Sequence, residues 1–217
     1  MIKVTINGAS GKMGTKVSNL IKNDSSLVEC FDDISCSDLV IDFSQPSSTK
    51  TILKKCVAAK KPIIIGTTGF TNDDLNEIRE AANLIPIVLA ANMSRGMIYL
   101  KKSLASFIHH NQDKLRCFIE ETHHLEKVDK PSGTAIELKK FITEHDKNNF
   151  IQDIKIKSYR VANIFGTHKI MFYSDNGTIC FSHEALSRKI FAEGAITCAK
   201  SINFNKPNLY SFEDIIN

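Results

Sequence analysis

Short apolar segments alternate with helical patterns along the first part of the chain, and this alternation constrains the fold more than any other feature. The apolar segments have the length and the β-branched content of strands. They cover residues 1–6, 27–31, 38–44, 62–65 and 86–89. Polar or glycine-containing turns follow the strands. Such a sequence favours the α/β class, with a doubly wound parallel sheet whose ligand lies beyond the carboxyl ends of the strands.

Three glycines stand between the first strand and the first helix. Gly8, Gly11 and Gly14 have the spacing G-x-x-G-x-x-G, a variant of the dinucleotide-binding fingerprint. Glycine is needed there because the backbone turns tightly and must approach a pyrophosphate at the start of the helix. We interpret the turn as the cofactor loop of a Rossmann-type sheet. A flexible turn that binds nothing is the alternative.

An acidic residue follows the second strand at the position of a ribose contact. In dinucleotide-binding sheets this residue lies about 20 positions after the glycines, and Asp32 has that spacing. Asp33 follows it, with no neighbouring Lys or Arg that would favour a 2′-phosphate. We therefore expect NADH to be used at least as well as NADPH.

Composition and charge exclude several classes of protein. With 42% apolar and 24% charged residues, the 217-residue chain resembles a globular protein with ample core. Its net charge of +4 suits anionic small molecules, and its densest basic cluster, Lys54-Lys55 with Lys60-Lys61, is too small to indicate nucleic-acid binding. No apolar run approaches the length of a membrane span, and no signal peptide precedes the first strand, so we expect a cytoplasmic protein.

The cysteines and histidines do not indicate a metal site. The six cysteines include no C-x-x-C pair, and we expect free, mostly buried thiols. The histidine pairs His109-His110 and His123-His124 are adjacent in sequence, and adjacent residues do not share a helix face.

Residues 120–135 combine chemical groups that are rarely found together in one loop. A strand at residues 115–119 precedes them, and a helix over residues 135–145 follows. We expect Ser132 or Thr134 to be the N-cap of this helix, with Glu137 completing a capping box after Thr134. Free N–H groups at a helix start attract anions, as do protonated His and Lys. The loop suits carboxylate binding and proton transfer, although a solvated surface loop with an ordinary turn is the alternative.

The period of the sequence changes after residue 150. Residues 151–161, 167–173 and 178–183 alternate like strands of a mixed or antiparallel sheet, with a hairpin turn at 175–177. A long helix at residues 97–110 leads the chain out of the nucleotide-binding part. We expect a dinucleotide-binding domain at residues 1–94 with 188–217, and a smaller α+β substrate-binding and oligomerisation domain at residues 95–187.

The motif E-x-T-H-H-x-x-K-x-D-x-P-S-G-T-A at residues 120–135 resembles the signature of the 4-hydroxy-tetrahydrodipicolinate (dihydrodipicolinate) reductase family. Other family-like segments are I-D-F-S at 41–44, G-T-T-G-F at 66–70, A-A-N-M-S at 90–94 and S-R-x-x-F-A-x-G-A at 187–195. Arg160 and Gly166-Thr167-His168 resemble a further element, in which Ala162 replaces the usual glycine, and alanine resists positive φ.

The resemblance implies NAD(P)H-dependent reduction of 4-hydroxy-tetrahydrodipicolinate to tetrahydrodipicolinate, with loss of water, in the diaminopimelate route to lysine. It implies that His123 is a proton donor and acceptor and that Lys127 is a second proton donor. An imidazole ordinarily titrates near pH 6.5, which suits proton transfer at neutral pH. The substrate, a small dicarboxylate, would be held by His124, Ser132, Gly133 and Thr134.

The resemblance also implies which residues contact NADH or NADPH, and how the chain assembles. The cofactor-lining residues would be Gly8, Ala9, Ser10, Gly11, Lys12, Met13, Asp32, Gly66, Thr67, Thr68, Ala90, Ala91, Asn92, Met93 and Arg188. A homotetramer is implied, and the long strands after residue 150 would pair across its subunits.

Two other functions remain open at this point. Another dinucleotide-dependent dehydrogenase, acting on an amino acid or a semialdehyde, would make the His123–Thr134 loop a coincidence. An acylating semialdehyde dehydrogenase would also need a catalytic cysteine, for which no candidate stands out. A non-catalytic nucleotide-sensing or interaction protein would predict decay of the His and Lys residues in this loop, and they are intact.

Overall fold

The computed structural model describes residues 1–31, 33–202 and 206–216. In chain order, the strands are β1 (Ile2–Asn7), β2 (Leu27–Glu29), β3 (Leu39–Asp42), β4 (Ile63–Ile65), β5 (Pro86–Leu89), β6 (Leu115–His123), β7 (Ile151–Arg160), β8 (Thr167–Ser174), β9 (Gly177–Glu184) and β10 (Asn208–Tyr210). The helices are α1 (Lys12–Lys22), α2 (Pro46–Ala59), α3 (Asn72–Ala82), α4 (Arg95–His110), α5 (Gly133–His145), α6 (Lys189–Ser201) and α7 (Phe212–Ile216), with a 3-10 turn at Ile34–Cys36.

The first compact unit comprises Met1–Met93 and Arg188–Asn217. Its sheet has six parallel strands in the order β10-β5-β4-β3-β1-β2. The central strands β3 and β4 are buried along their whole length, as expected for parallel strands covered by helices on both faces. Ile63, Ile64 and Ile65 have no exposed surface. The predicted Rossmann-type doubly wound sheet is confirmed.

The edges of this sheet differ from the sequence-based expectation. The second strand ends at Glu29 rather than at residue 31, and Phe31 is 81% exposed. Asp32, the expected ribose contact, lies outside the described residues. Strand β10 was not predicted, because its three residues become a strand only through parallel pairing with β5, from Asn208 opposite Pro86 to Tyr210 opposite Val88.

The second compact unit comprises Ser94–Ser187. Its four-stranded sheet has the order β7-β6-β8-β9, in which β6 runs parallel to β7 and antiparallel to β8, and β8 forms a hairpin with β9. The predicted mixed sheet is therefore confirmed. The core on one sheet face draws its residues from α4, α5, β6 and β8; its largest fully buried members include Leu104 and Phe172.

Strand β6 leads directly from this core to polar residues. Its residues alternate between the two faces, and Leu115, Cys117 and Ile119 occupy the buried face. Glu121 and His123 continue the same face and are also buried. Two ionisable side chains therefore lie side by side at the carboxyl end of an otherwise apolar strand face.

The thiols and helices of the described residues add two further observations. All six cysteines are free, but only Cys56, Cys117 and Cys198 are buried, whereas Cys36 and Cys180 are exposed. The expectation of mostly buried thiols therefore holds for half of them. Burial raises the pKa of the three buried thiols to about 12, which keeps them protonated. No helix in the described part of the chain combines the length and apolar character needed to cross a bilayer.

Candidate active site

His123 lies at the last position of β6 and is 7% exposed. Its Nδ1 is hydrogen-bonded to Oε2 of Glu121, two residues earlier on the same strand face. Its main-chain oxygen accepts a hydrogen bond of 2.8 Å from the Val161 N–H. Both the ring and the backbone of His123 are therefore held in place from within the sheet.

Glu121 is completely buried and is surrounded by hydrogen-bond donors. Arg160 Nη1, on the neighbouring strand β7, lies 3.0 Å from Oε1 and 3.1 Å from Oε2. The Ser132 N–H donates to Oε1 at 3.3 Å. Burial raises the pKa of this carboxyl, but hydrogen bonds from His123, Ser158 and Arg160 outweigh burial and lower the pKa to about 2. Glu121 is therefore a carboxylate at neutral pH.

The loop that carries Lys127 is tied to the same arginine. Arg160 Nε donates to the main-chain oxygen of Lys127 at 3.2 Å, and Nη2 donates to the main-chain oxygen of Asp129. The Lys127 ammonium lies 2.8 Å from Asp129 Oδ1, and the Gly133 N–H donates to Oδ2 at 3.2 Å. The Lys127 side chain is only 17% exposed, so it is an ordered partner of Asp129 and not a solvated surface lysine.

Helix α5 begins with Ser132 as its N-cap, one of the two predicted residues. The Ser132 Oγ accepts from the Ala135 N–H at 3.2 Å. The predicted capping box after Thr134 is wrong, because Thr134 lies inside the first turn and Glu137 instead forms an ion pair with Lys101 of α4. Counted from the true cap, the third helical position is Ala135, whose methyl group cannot accept the hydrogen bond that would complete a capping box.

A buried histidine supports the cap of α5. His168 Nε2 lies 3.3 Å from Ser132 Oγ, and the His168 ring meets the ring of His123 edge-on, with 5.1 Å between centroids. Burial, followed by the charge of His123, lowers the pKa of His168 to about 3. A neutral imidazole can accept the Ser132 hydroxyl proton while the same oxygen caps the helix. His183 of β9 makes the equivalent contact, at 3.0 Å, with Ser94, the N-cap of α4.

The remaining predicted substrate residues lie around the same helix start. His124 is half-buried and directly follows His123, and its main-chain oxygen accepts from the Lys127 N–H at 3.2 Å. Gly133 and Thr134 form the first turn of α5. The structure therefore brings His123, His124 and Lys127 together with this turn in the second unit. The side chain of Ser132 is 1% exposed and engaged in the cap.

The replacement of the family's glycine by Ala162 does not strain the backbone. The positive φ in this turn, +62°, belongs to Asn163, the next residue. Asparagine is one of the residues that tolerate this conformation. Alanine is therefore compatible with the conformation that this chain adopts.

Apart from Asp32 and Arg188, the predicted cofactor residues follow the carboxyl ends of β1, β4 and β5, which meet at one edge of the parallel sheet. Gly8 has φ of +86°, and a Cβ atom there would lie 2.5 Å from the main-chain oxygen of Phe43. A Cβ atom on Gly14 would lie 2.1 Å from the main-chain oxygen of Gly8. Helix α1 starts at Lys12 with no side-chain cap and no acidic residue in its first turn. Its N–H groups are suited to a phosphate.

The other predicted cofactor residues differ in exposure. Ala9, Ser10 and Gly11 are exposed, Met13, Gly66, Thr68, Ala91, Asn92 and Arg188 are half-buried, and Thr67, Ala90 and Met93 are buried. Arg188 belongs to the first unit, at the start of α6.

A buried carboxylate organises the loops at this edge. Asp42, at the end of β3, has no exposed surface and accepts hydrogen bonds from neutral donors on four segments: Asn7 Nδ2 at 2.8 Å, Ser44 Oγ at 2.6 Å, Thr49 Oγ1 at 2.5 Å and Thr67 Oγ1 at 2.9 Å. Thr67 also accepts from the Ser44 N–H at 2.9 Å. The hydroxyl of Thr67 therefore donates its only proton to Asp42 and links the loops after β3 and β4.

Sequence reasoning did not assign roles to Glu121, Arg160, His168 or Asp42. The strand was predicted to end at residue 119, but β6 continues to His123, so Glu121 and His123 lie on one strand face and not in the loop. Each of the other three has a partner 25 or more residues away in sequence, although Asp42 also accepts from the nearby Ser44 and Thr49. Among the described residues, no group of three or more His, Cys, Asp or Glu is arranged to hold a metal ion.

Comparisons with known protein families match almost the whole chain. The C-terminal model of dihydrodipicolinate reductase matches residues 96–216, and the N-terminal model matches residues 24–93. The 4-hydroxy-tetrahydrodipicolinate reductase of Alkaliphilus oremlandii is 36% identical over 234 residues, covering 98% of this chain and 97% of the relative. That of Bdellovibrio bacteriovorus is 32% identical, covering 99% and 96%.

Solved structures support the fold. A dipicolinate-bound dihydrodipicolinate reductase from Paenisporosarcina sp. TG-14 has a TM-score of 0.73 at 20% identity, with 100% of each chain covered. A probable dehydrogenase from Thermotoga maritima has a TM-score of 0.65 at 12% identity, covering 99% of this chain and 92% of its own. The fold is thus shared with a probable dehydrogenase, and sequence similarity is what distinguishes the reductase family. The two family models and the full-length relatives show that this chain belongs to the dihydrodipicolinate reductase family.

Proposed function

We propose that this chain reduces 4-hydroxy-tetrahydrodipicolinate to tetrahydrodipicolinate, with loss of water. Its family uses NADH or NADPH in a step of lysine biosynthesis, and the N-terminal domain of the family binds the dinucleotide. The observation that carries the proposal in this chain is the joint fixation of His123 and Lys127 by one buried ion network beside the start of α5.

The first unit fits a dinucleotide. Side chains at Gly8 and Gly14 would collide with the loop backbone, so the turn can only be this tight with glycine. The uncapped first turn of α1 would hold the pyrophosphate, and the loops after β4 and β5 would line the rest of the cofactor. When bound, the nicotinamide supplies the hydride that reduces C4 of the substrate ring.

The second unit fits a small dicarboxylate. Lys127 and the first turn of α5 already hold a carboxylate, that of Asp129, through the ammonium and the Gly133 N–H. These are the groups that we assign to a substrate carboxylate, together with His124 and Thr134. Ser132 contributes by fixing the helix start. The Paenisporosarcina relative was solved with dipicolinate, a ligand of the same class.

His123 and Lys127 are the proposed proton carriers. With Nδ1 occupied by Glu121, His123 exchanges protons at Nε2. The Lys127 ammonium donates a proton and its charge stabilises developing negative charge on the substrate. The leaving hydroxyl thereby departs as water.

The decisive experiment couples the purified chain to the synthase that precedes it in the pathway. Pyruvate and aspartate semialdehyde are supplied. NADH oxidation is followed as the loss of the absorbance of the reduced nicotinamide. Oxidation that requires the synthase supports the proposal. Oxidation with aspartate semialdehyde alone would indicate a semialdehyde dehydrogenase, and no oxidation under either condition would refute the reductase function.

The cofactor preference follows from the acidic pair after β2. A carboxylate accepts hydrogen bonds from ribose hydroxyls and repels a 2′-phosphate, so we expect NADH to bind and react at least as well as NADPH. Titration of both nucleotides tests this expectation. A clear preference for NADPH would show that Asp32 is not the ribose contact.

We also propose a homotetramer in the cytoplasm, joined through residues 151–183. Strands β7 and β9 are the two edges of the second sheet, and pairing across subunits would cover such edges.

A further inference from the structure

We propose that Glu121 and Arg160 are positioning residues that fix the tautomer of His123, so that the proton stays on Nδ1 and Nε2 is the reacting atom. This inference rests on the proposed function, because it assigns a task to the histidine that moves protons there. The geometry of the buried network carries it.

Glu121 can act only as an acceptor. A carboxylate has no proton to donate, so a hydrogen bond between Glu121 Oε2 and His123 Nδ1 requires the proton on Nδ1. The two side chains share one face of β6, and both are buried, which excludes water as a competing partner. Neutral His123 is therefore the Nδ1–H tautomer, with a lone pair on Nε2.

Arg160 keeps this acceptor charged and still. Its Nη1 contacts both carboxylate oxygens, at 3.0 and 3.1 Å, and the Ser132 N–H adds a donor at 3.3 Å. Hydrogen bonds from His123, Ser158 and Arg160 lower the pKa of Glu121 to about 2 despite its burial. The carboxylate can therefore neither take up the proton of His123 near neutral pH nor rotate away from it.

The environment of Nε2 is different. Residue 166 is a glycine with φ of +151°, and a Cβ atom there would lie 3.0 Å from Nε2. The absence of that side chain leaves space beside the nitrogen to which we assign the reacting proton. Nδ1 of His123 is thus hydrogen-bonded to Glu121, whereas Nε2 lies beside Gly166, which has no side chain.

The guanidinium of Arg160 also connects the loop of Lys127, the second proposed proton carrier, to Glu121. Arg160 donates to the main-chain oxygens of Lys127 and Asp129, so it orients the loop of Lys127 while it holds Glu121. The charged and titratable groups around His123 are Glu121 on its own strand, Arg160 on β7, His168 on β8, and Lys127 with Asp129 in the loop. Burial favours the neutral form of His168. Glu121 is the carboxylate in direct contact with the His123 ring.

The tautomer can be measured in the unaltered protein. Histidine labelled with ¹⁵N and long-range ¹H–¹⁵N spectra distinguish a protonated Nδ1 from a protonated Nε2, and the signals of His123 are identified by their loss in His123→Gln. We expect a protonated Nδ1 at every pH at which the protein is folded, with only Nε2 changing state. A neutral ring with its proton on Nε2 would overturn the proposal.

Glu121→Gln tests the consequence for catalysis. A glutamine can turn its amide N–H₂ toward Nδ1 and so favours the wrong tautomer. We expect kcat to fall by about 10- to 100-fold, the range typical when the hydrogen-bond partners of metal-bound histidines are removed. NADH affinity should not change, and the acidic limb of the pH profile of kcat/KM should move to lower pH, because the anion that stabilises imidazolium is gone.

Glu144→Gln is the matched control, since it removes an exposed carboxylate from α5 of the same unit. It should alter neither kcat nor the pH profile. Wild-type kcat in folded Glu121→Gln would refute the proposal, and if that variant does not fold, the spectrum of the unaltered protein decides. If the unaltered protein lacks reductase activity, the proposed function is refuted instead. The tautomer of His123 can still be measured in that case.

Discussion

At the scale of single residues, Arg160 is the side chain on which most of the candidate active site depends. It contacts the Glu121 carboxylate and the main-chain oxygens of Lys127, Asp129 and Tyr159. These bonds join β6, β7 and the loop after β6. A guanidinium suits this task because its donors are planar, always charged and directed along several lines.

Replacement of Lys127 by alanine should abolish most turnover. We expect kcat to fall by about 100-fold or more, the contribution typical of a positioned acid. The ammonium is an ordered partner of Asp129, so its loss should also cost about 1.5–3 kcal/mol of folding free energy, as for hydrogen bonds to charged groups. NADH affinity should be retained, since the glycine turn belongs to the other unit. Steady-state kinetics, nucleotide titration and thermal melting measure the three quantities.

Lys130→Ala provides the control, because Lys130 is an exposed lysine of the same loop. It should behave like the unaltered protein. His123→Ala should lose as much activity as Lys127→Ala, and the double variant should lose less than the sum if both residues serve one transition state. Near-normal turnover in Lys127→Ala would mean that the loop has a structural role only.

At the scale of elements, two helices of the second unit begin in the same way. Ser94 caps α4 and Ser132 caps α5, and each hydroxyl contacts a histidine from the sheet, His183 or His168. Burial lowers the pKa of both histidines and so favours their neutral forms. The sheet thereby fixes the orientation of each cap, and at α5 the cap carries the proposed carboxylate site.

Loss of the α5 cap should affect both stability and substrate binding. Ser132→Ala removes the acceptor of the Ala135 N–H and should cost about 1 kcal/mol, the typical cost of losing an N-cap. The KM for substrate should rise, because the first turn of α5 is no longer held. Thr71→Ala, which removes the cap of α3 in the other unit, should cost similar stability without raising this KM. Equal KM changes in the two variants would contradict the assignment of the site to α5.

At the scale of the whole molecule, the buried His168 should make folding stability depend on pH. The pKa of His168 is lowered from 6.5 to about 3, chiefly by burial. Between these values the unfolded chain binds a proton that the folded chain does not, so stability is full above pH 6.5 and falls as pH decreases. The slope from this group is at most about 1.4 kcal/mol per pH unit, the value for one proton.

Histidines are the side chains that change charge between about pH 7.5 and pH 5.5. The free energy of unfolding measured in urea should therefore be lower at about pH 5.5 than at about pH 7.5. His168→Gln should flatten this dependence, whereas His109→Gln, at an exposed position, should not. The lowered pKa of Glu121 acts only below pH 4.5 and does not contribute in this window. An unchanged pH dependence in His168→Gln would show that other groups are responsible.

Assembly is the second property of the whole molecule that can be tested. Met171 of β8 lies on the sheet face opposite the buried Ile170 and Phe172, beside Phe118 and Tyr173. If this face joins subunits, Met171→Glu should lower the molar mass measured by light scattering while the circular dichroism spectrum is retained. Leu84→Glu changes an exposed apolar residue of the other unit and should have no effect. A monomer in the unaltered protein would refute the tetramer.

Much of the fold could be predicted from the chain because local patterns report local preferences. Full burial on both faces makes β3 and β4 continuous apolar runs, and one buried face makes β6 alternate. The glycines of the first turn are required by contacts within the turn and the adjacent loop, so they are also visible locally. The shared strand face of Glu121 and His123 was not predicted, because the apolar pattern that indicated the strand ends at residue 119, whereas β6 continues to His123.

Contacts between distant segments could not be predicted in this way. Strand β10 exists only through pairing with β5, and the cap of α5 is Ser132, whose hydroxyl contacts His168, 36 residues away. Arg160 reaches Glu121 across 39 residues because β6 and β7 pair in parallel with His123 opposite Arg160. By itself, the sequence determined the class of fold, the glycine turn and the residues with reactive groups. Only the tertiary structure decided which of those groups are buried, paired and charged, because strand register and burial depend on parts of the chain that no local pattern connects.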